Sequence, residues 1–490
     1  MPLNSARKLL NHTFIYGLAT VLPRMMSFVL VPLYTDVLDV KVYGVMSVVF
    51  SWMVLFNVVL AFGMETAFFR FYHKEKENPK VVSTAAYTLM IVSLAFLFFG
   101  LIFRENFAHI SNIDVRYVNL ALVILVLDAL VVIPFAWLRA NQQSKKYTWL
   151  KLLNVLTNLL MNIFLLLWLP KLNSNSAFGN WYNPDLQITY IFLALLAASG
   201  LTLILLLPFY KVLKFGIDQV LFKRMLRYAT PILIAGVAFA INETFDRILL
   251  DYLLPKGIAA EAVGAYAACY KLAMFMTFFA TAFRLGIEPY FFSKAQSVNA
   301  PQTYASITHY FIVLGTLIVL SVVVFADLLK WLLIRDESYW PAMQVVPLIL
   351  AANLFLGIYH NLSVAYKVTD KPQVGAYISL FGAAVTLLIN FWLIPRYSYM
   401  GSAIATICAY GSMMLLSLYF GQKYLKIPYY YKKSGAYLFI SLLFSGLSFY
   451  VFRGNYFVGL LFITIFIGLI IKTEKENFIK LFFTKPIQNP

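Results

Sequence analysis

The chain has 490 residues, 61% of them hydrophobic and only 12% charged, with a mean hydropathy of +0.78. No soluble globular domain of this length has that composition, and the apolar residues come in blocks of about twenty or more, long enough to cross roughly 30 Å of hydrocarbon as helix. The net charge of +18 is read as Lys and Arg collected in cytoplasmic loops rather than as a nucleic-acid surface. A β-barrel is excluded because barrel strands alternate apolar and polar over about ten residues.

The spacing predicts an all-α polytopic membrane protein of about fourteen transmembrane helices, at about 10–35, 43–69, 82–103, 117–138, 147–169, 187–210, 229–253, 262–290, 304–334, 340–366, 374–395, 399–424, 434–452 and 456–471. The opening MPLNSARKLL carries two basic residues. The apolar run behind it is too long for a signal-peptide core, so it is read as a retained first helix. With the N-terminus in the cytoplasm, connections such as RFYHKEKENPK, RANQQSKKY and YKVLKFGIDQVLFKRMLR are cytoplasmic. About 26 of the Lys and Arg then lie on the cytoplasmic side and about nine on the other, so both termini are expected in the cytoplasm. The longest outside loop is expected near 171–186. Sequons at Asn11, Asn242 and Asn361 fall in or beside spans and are disregarded. Cys269 and Cys408 lie in apolar helices with no partner spacing, which gives neither a disulfide framework nor a metal site.

An internal repeat emerges along the chain. The fifth span contains NLLMNIFL and the eleventh TLLINFWL, which pair Leu159 with Leu387, Leu160 with Leu388, Asn162 with Asn390 and Leu165 with Leu393. The second span begins VYGVMSVV and the eighth AVGAYAAC, and each has a Glu before aromatics near its inner end, METAFF with Glu65 and IEPYFF with Glu288. Both matches are shifted by six spans, which conserves orientation. Two parallel six-helix repeats related by an axis along the membrane normal are therefore expected, with two extra helices at the end. The corresponding division is 1–215, 216–426 and 427–490.

Nine ionisable residues inside these spans stand out as candidates: Arg24, Glu65, Asp128, Glu243, Asp246, Arg247, Lys271, Arg284 and Glu288. Nine lipid-facing charges would cost roughly 20–30 kcal/mol, several times a typical stability, so most must face protein or a water-filled path. In INETFDRILLDYLL, Glu243 and Arg247 are four apart and share a helical face, which suits either a structural ion pair or a group lining a central cavity. Asn242 and Asp246 share a neighbouring face. Pro231 and Pro23 are positions where these helices can bend. Arg24 has no acidic residue at helical spacing and reads as a substrate contact, followed by Lys271 and Arg284. Asp128 suits pairing with Arg24 or cation binding. Glu65 and Glu288 lie near the cytoplasmic end, where snorkelling explains them as well as function does. The nine charges sum to minus one, so a cationic cavity requires that the acids be spent in pairs or lie elsewhere.

Nothing points to an enzyme. The five histidines are scattered and none pairs with a carboxylate at ligand spacing. There is no Walker A loop for ATP, and no cofactor or metal is expected.

With these residues in view, the chain resembles the Wzx-type polysaccharide flippases of the multidrug/oligosaccharidyl-lipid/polysaccharide exporter superfamily. The resemblance extends over essentially the whole chain. It rests on the span count, the six-plus-six repeat, Pro32, Tyr34 and Tyr43-Gly44 in RMMSFVLVPLYTDVLDVKVYGVMSVVFS, the acidic–Arg pair of NETFDRILL, and VGAYAACYKL and MGSAIATICAY. It implies movement of undecaprenyl-diphosphate-linked oligosaccharides across the bacterial cytoplasmic membrane, for O-antigen, capsule or exopolysaccharide assembly. The implied mechanism is alternating access between two lobes, with a proton or sodium gradient or the membrane potential as drive. Carried onto this sequence, the diphosphate-binding cations are Arg24, Arg247, Lys271 and Arg284, and the coupling or ion-pair groups are Asp128, Glu243, Asp246, Glu65 and Glu288. The implied partners are the lipid-linked oligosaccharide, membrane lipids, and a polysaccharide polymerase and glycosyltransferases, with no nucleic acid. A monomer is expected, because one chain would hold a complete pathway. The competing readings are a lipid II flippase, a cation-coupled drug exporter, and a membrane polysaccharide polymerase, which the short outside loops disfavour.

Overall fold

A computed structural model describes residue 25 and residues 28–75, 78–173, 182–211, 213–294 and 297–483. Among these residues there is no strand, and thirteen helices are long and apolar enough to cross a membrane. A further apolar helix, α1 (Phe28–Val37), is the described part of the first predicted span.

Capping residues start several of the helices. Asp39 accepts a hydrogen bond from the Lys41 amide at 2.8 Å and opens α2 (Val40–Ala61), which turns at a left-handed Gly63 (φ 71°) into α3 (Met64–Lys74). Asn78 caps α4 (Pro79–Ile102), with Pro79 in its first turn, where no amide is needed. There follow α5 (Arg104–Ser111), α6 (Val115–Leu130), α7 (Val132–Ala140), α8 (Ser144–Ile163), α9 (Leu169–Asn173) and α10 (Gln187–Tyr210). In the second half, Asp218 caps α11 (Gln219–Leu253), which runs unbroken through Pro231. Next are α12 (Lys256–Tyr270), a single 3-10 turn at Lys271–Ala273, and α13 (Met274–Lys294). The remainder is α14 (Ala300–Val324), α15 (Ala326–Leu333), α16 (Val346–Leu362), α17 (Val364–Val368), α18 (Gln373–Tyr397), α19 (Tyr399–Tyr424), α20 (Tyr431–Gly446) and α21 (Tyr456–Phe483).

Boundaries differ from expectation at several points, among them α11, which begins at Gln219 rather than near 229, and the ninth span. The ninth span was expected to run to 334, but α14 stops at Val324 and α15 is a separate short helix. Asp327 in its first turn is ion-paired with Lys330 and Arg453, which places a polar group where the predicted span required hydrocarbon.

Helices α2 to α10 pack mainly among themselves, with α6 against α2, α4 and α10, and α8 against α10. Helices α11 to α19 do the same, with α18 against α11 and α19, and α16 against α13, α14 and α19. The two halves meet where α2 crosses α11 and α12. At that crossing a Cβ on Gly44 would lie 1.9 Å from the Ala260 carbonyl oxygen, and a Cβ on Gly264 would lie 1.9 Å from that of Val40. Each carbonyl belongs to the residue four before the other half's glycine. The contact is therefore reciprocal, the same motif from each repeat facing itself, and only hydrogen side chains permit it. Beside it, Tyr43 meets Tyr339 edge-on at 5.5 Å, and the Tyr339 hydroxyl donates to the Leu38 carbonyl at 2.8 Å.

Candidate functional site

The opening segment of α11's second half, INETFDRILL, holds the densest group of buried charge at this seam. Asp246 is buried. Its carboxylate accepts from the Tyr266 hydroxyl at 2.7 Å, the Arg247 amide at 2.8 Å and Arg247 Nη1 at 3.3 Å. Arg247 also donates from Nη1 to the Glu243 backbone carbonyl at 3.2 Å, and its guanidinium lies 4.5 Å from the centre of the Tyr270 ring. Glu243 and Arg247 interact electrostatically, but the side-chain ion pair that forms is a different one. The carboxylate facing Arg247 is Asp246, because Tyr266 from α12 fixes it there, while Glu243 contributes its carbonyl. Lys271, on the 3-10 turn after α12, interacts electrostatically with both Arg247 and Glu243, and Arg247 with Tyr43 of α2. The group therefore sits where α2, α11 and α12 meet.

Asn242 does not share this group. It donates to the Ser379 carbonyl at 3.1 Å and accepts from the Thr386 hydroxyl at 2.7 Å, tying α11 to α18. The Tyr410 hydroxyl of α19 reaches its backbone carbonyl at 3.2 Å.

The other predicted charges are held apart from this group. Asp128 accepts from the Ser199 hydroxyl at 2.7 Å and interacts electrostatically with Lys151 of α8, whose Nζ lies 4.2 Å over the Phe135 ring. Glu65 is ion-paired with Arg139. Glu288 is ion-paired with Lys367 at 2.9 Å. Arg284 lines a small pocket with Glu288, His360 and Asn361. Arg24 lies outside the described residues.

Sequence reasoning missed three cations: Lys151, which lies within the fifth predicted span but was not singled out, and Arg139 and Lys367, which lie just past the ends of the fourth and tenth spans and read as loop residues. With them, the sum of the charges rises from minus one to plus two. Glu65, Asp246 and Glu288 are each ion-paired, with Arg139, Arg247 and Lys367 respectively. One histidine also pairs with a carboxylate through the fold, His309 with Glu474, far beyond any sequence spacing. Among the described residues, no group of three or more His, Cys, Asp or Glu is placed to hold a metal ion.

Comparison with known proteins gives this geometry its context. The model of the polysaccharide biosynthesis protein family matches residues 9–293. A probable low-salt glycan biosynthesis flippase, Agl15 of Haloferax volcanii, is 22% identical over 220 residues, 43% of this chain and 46% of that protein. The chain thus matches a little under half the length of that relative. Among solved structures, the lipid II flippase MurJ in an inward closed conformation superimposes with a TM-score of 0.72 at 14% identity, over 94% of this chain and 99% of MurJ. An inward-facing multidrug resistance MATE transporter of the MOP superfamily does so with a TM-score of 0.62 at 13% identity, over 82% of this chain and 94% of the transporter. The two likenesses establish a common fold. The chain belongs to the polysaccharide biosynthesis protein family, as a multi-pass helical membrane protein with the fold of MurJ and the MATE transporters.

Proposed function

We propose that the chain is a flippase that carries undecaprenyl-diphosphate-linked oligosaccharide units across the bacterial cytoplasmic membrane, for assembly of a surface polysaccharide. The observation that carries this reading is the Asp246–Arg247–Lys271 group with Glu243, set at the seam between the two halves. Family membership and the description of Agl15 as a glycan biosynthesis flippase support it.

The chemistry suits a lipid diphosphate. Guanidinium and ammonium groups in a low-dielectric seam bind phosphate oxygens through charge-assisted hydrogen bonds. Arg247, Lys271 and Arg284, with Arg24, take that role. Asp128 and Glu243 are the groups that exchange a coupling cation, and Asp246 holds Arg247 in place. Segments 1–215 and 216–426 act as the two lobes of an alternating-access cycle, with 427–490 appended. The Gly44–Gly264 crossing is the contact that must open. A net charge moved across 100 mV gains or loses about 2.3 kcal/mol, so membrane potential biases turnover. Both termini lie in the cytoplasm, the working unit is a monomer, glycosyltransferases supply its substrate, and its product passes to a polymerase.

A second reading has its own support: the likeness to MurJ covers 94% of the chain and 99% of that flippase, so lipid II is a rival cargo. The test is a flipping assay in proteoliposomes with a labelled undecaprenyl-diphosphate oligosaccharide and, separately, labelled lipid II. Wild type is expected to move the oligosaccharide, and Lys271→Gln and Arg24→Ala to lose it while still inserting. Faster movement of lipid II would exchange the cargo. Chain extension by the purified protein would replace the flippase with a polymerase.

A further inference from the structure

Helices α20 and α21 are fastened to the rest of the chain at two ends, and the fastenings differ in chemistry. At the turn between them, Arg453 donates from Nε at 3.1 Å and from Nη2 at 3.0 Å to the two carboxylate oxygens of Asp327, which Lys330 also reaches at 3.0 Å. Burial pushes the Asp327 carboxyl up, but the hydrogen bonds from Arg453 and Lys330 outweigh it and hold the group below the usual carboxylate range. A guanidinium does not deprotonate in proteins. This fastening is therefore fixed in charge around neutral pH.

The opposite fastening contains an imidazole. His309 of α14 is 4% exposed, with Nδ1 2.9 Å from Ser434 Oγ of α20 and Nε2 3.1 Å from Glu474 Oε1 of α21. Glu474 is 0% exposed. The Tyr437 hydroxyl lies 3.5 Å from the same oxygen and also bonds Thr473, and Lys433 Nζ lies 3.6 Å away. Tyr310 interacts electrostatically with Glu474, and the Tyr430 ring lies 5.2 Å from the imidazole.

We propose that His309 and Glu474 form a proton-binding site that joins the C-terminal helix pair to α14. Three features argue for it. The Ser434 hydroxyl can accept or donate, so Nδ1 is satisfied with or without a proton, while Nε2–H donates to Glu474 in both states. A proton therefore binds or leaves without loss of a hydrogen bond. Uptake forms one N–H bond and adds one positive charge, and release returns that proton to water. The aqueous edge is close, because Lys433 and Ser434 lie in the first turn of α20. Imidazole is also the side chain suited to change charge near neutral pH. Protonation places a cation against Glu474, so uptake tightens the docking of α20 and α21.

The test uses the full chain in lipid nanodiscs and does not depend on which substrate is carried. Histidine ionisation is followed by NMR with labelled histidine between about pH 5 and 8. The signal of His309, one of five histidines, is identified by its loss in His309→Gln, a variant whose amide can still bond Ser434 and Glu474. Amide-exchange protection in α20 and α21 is measured across the same range, corrected for intrinsic rates. The expected result is a His309 transition with a several-fold rise in protection toward acid in wild type. His309→Gln and Glu474→Gln should both be flat, and protection beside Arg453 should be unchanged in all three. A His309 signal that never changes would make the pair a fixed structural bond and overturn the proposal. A His309 transition without a matching change in protection, or a change that persists in both variants, would overturn the link to docking.

Discussion

Helix α8 in the first half and α18 in the second each bury an asparagine at the same point of the repeat, and the two do the same thing. Asn162 donates to the Asn158 carbonyl one turn back at 2.8 Å and accepts from the Tyr34 hydroxyl at 2.9 Å. Asn390 donates to the Thr386 carbonyl at 2.8 Å and accepts from the Ser402 hydroxyl at 2.8 Å. The glycines behave likewise, Gly44 against the second half and Gly264 against the first. So do two acids near span ends: Glu65 in the second span pairs with Arg139 at the end of the fourth, and Glu288 in the eighth with Lys367 at the end of the tenth. The seam charges break this pattern. The Asp246–Arg247–Tyr266 group is built on α11 and α12, while the first half's interior charge is Asp128 with Ser199 and Lys151 on other helices. Features that recur in both halves hold the architecture. Charges buried in one half only have no such explanation, since burying them is costly, and they are where function is sought. By this criterion Glu65 and Glu288 belong to the architecture.

The strongest way to break the comparison is at Arg247. Arg247→Ala leaves the buried Asp246 carboxylate without its cation, and breaking a buried pair from one side costs about 3–5 kcal/mol. Asp246→Asn with Arg247→Gln removes both charges and should restore most of that stability, as read by thermal unfolding. If the pair serves transport, the double variant is stable and inactive. A stable, active double variant would return the pair to a purely structural role.

The glycine crossing comes next. Gly44→Leu and Gly264→Leu each force side-chain atoms against a backbone carbonyl, where no rotamer change gives relief. Overpacking of this kind costs about 1–3 kcal/mol. The reciprocal geometry predicts equal losses of stability in the two variants and a double variant less than additive, because either one already parts the helices. Unequal losses would mean that the two halves do not meet about an axis at this point.

Much of this was legible in the sequence, and the reasons are physical. Hydrocarbon thickness imposes a length on every span, so the spans stand out as apolar blocks. The repeat was legible where it uses residues with one purpose, glycine for close approach and asparagine for a buried amide. Partners were less legible. The spacing of Glu243 and Arg247 suggested a side-chain pair, but Tyr266, on another helix, decides which carboxylate Arg247 meets. Arg139 and Lys367 were hidden because a cation at a span's inner edge looks like any loop cation. His309 and Glu474 are 165 positions apart, and only the docking of the last two helices brings them together.

The smallest effect tests the duplicated ion pairs. The side chains of Glu65 and Arg139 are 42% and 31% exposed, and those of Glu288 and Lys367 are 36% and 33% exposed. Solvent screens both pairs to a similar degree, so Glu65→Gln and Glu288→Gln should each cost less than about 1 kcal/mol. Both should leave transport nearly unchanged, because each joins the end of one span to a neighbour in its own half and neither touches the seam. Their equality is the informative part. If Glu288→Gln alone abolished transport, the pocket it shares with Arg284, His360 and Asn361 would be drawn into the functional path. The second half would then have turned a repeated structural pair to a new use, which the exposure and geometry of the two pairs do not distinguish.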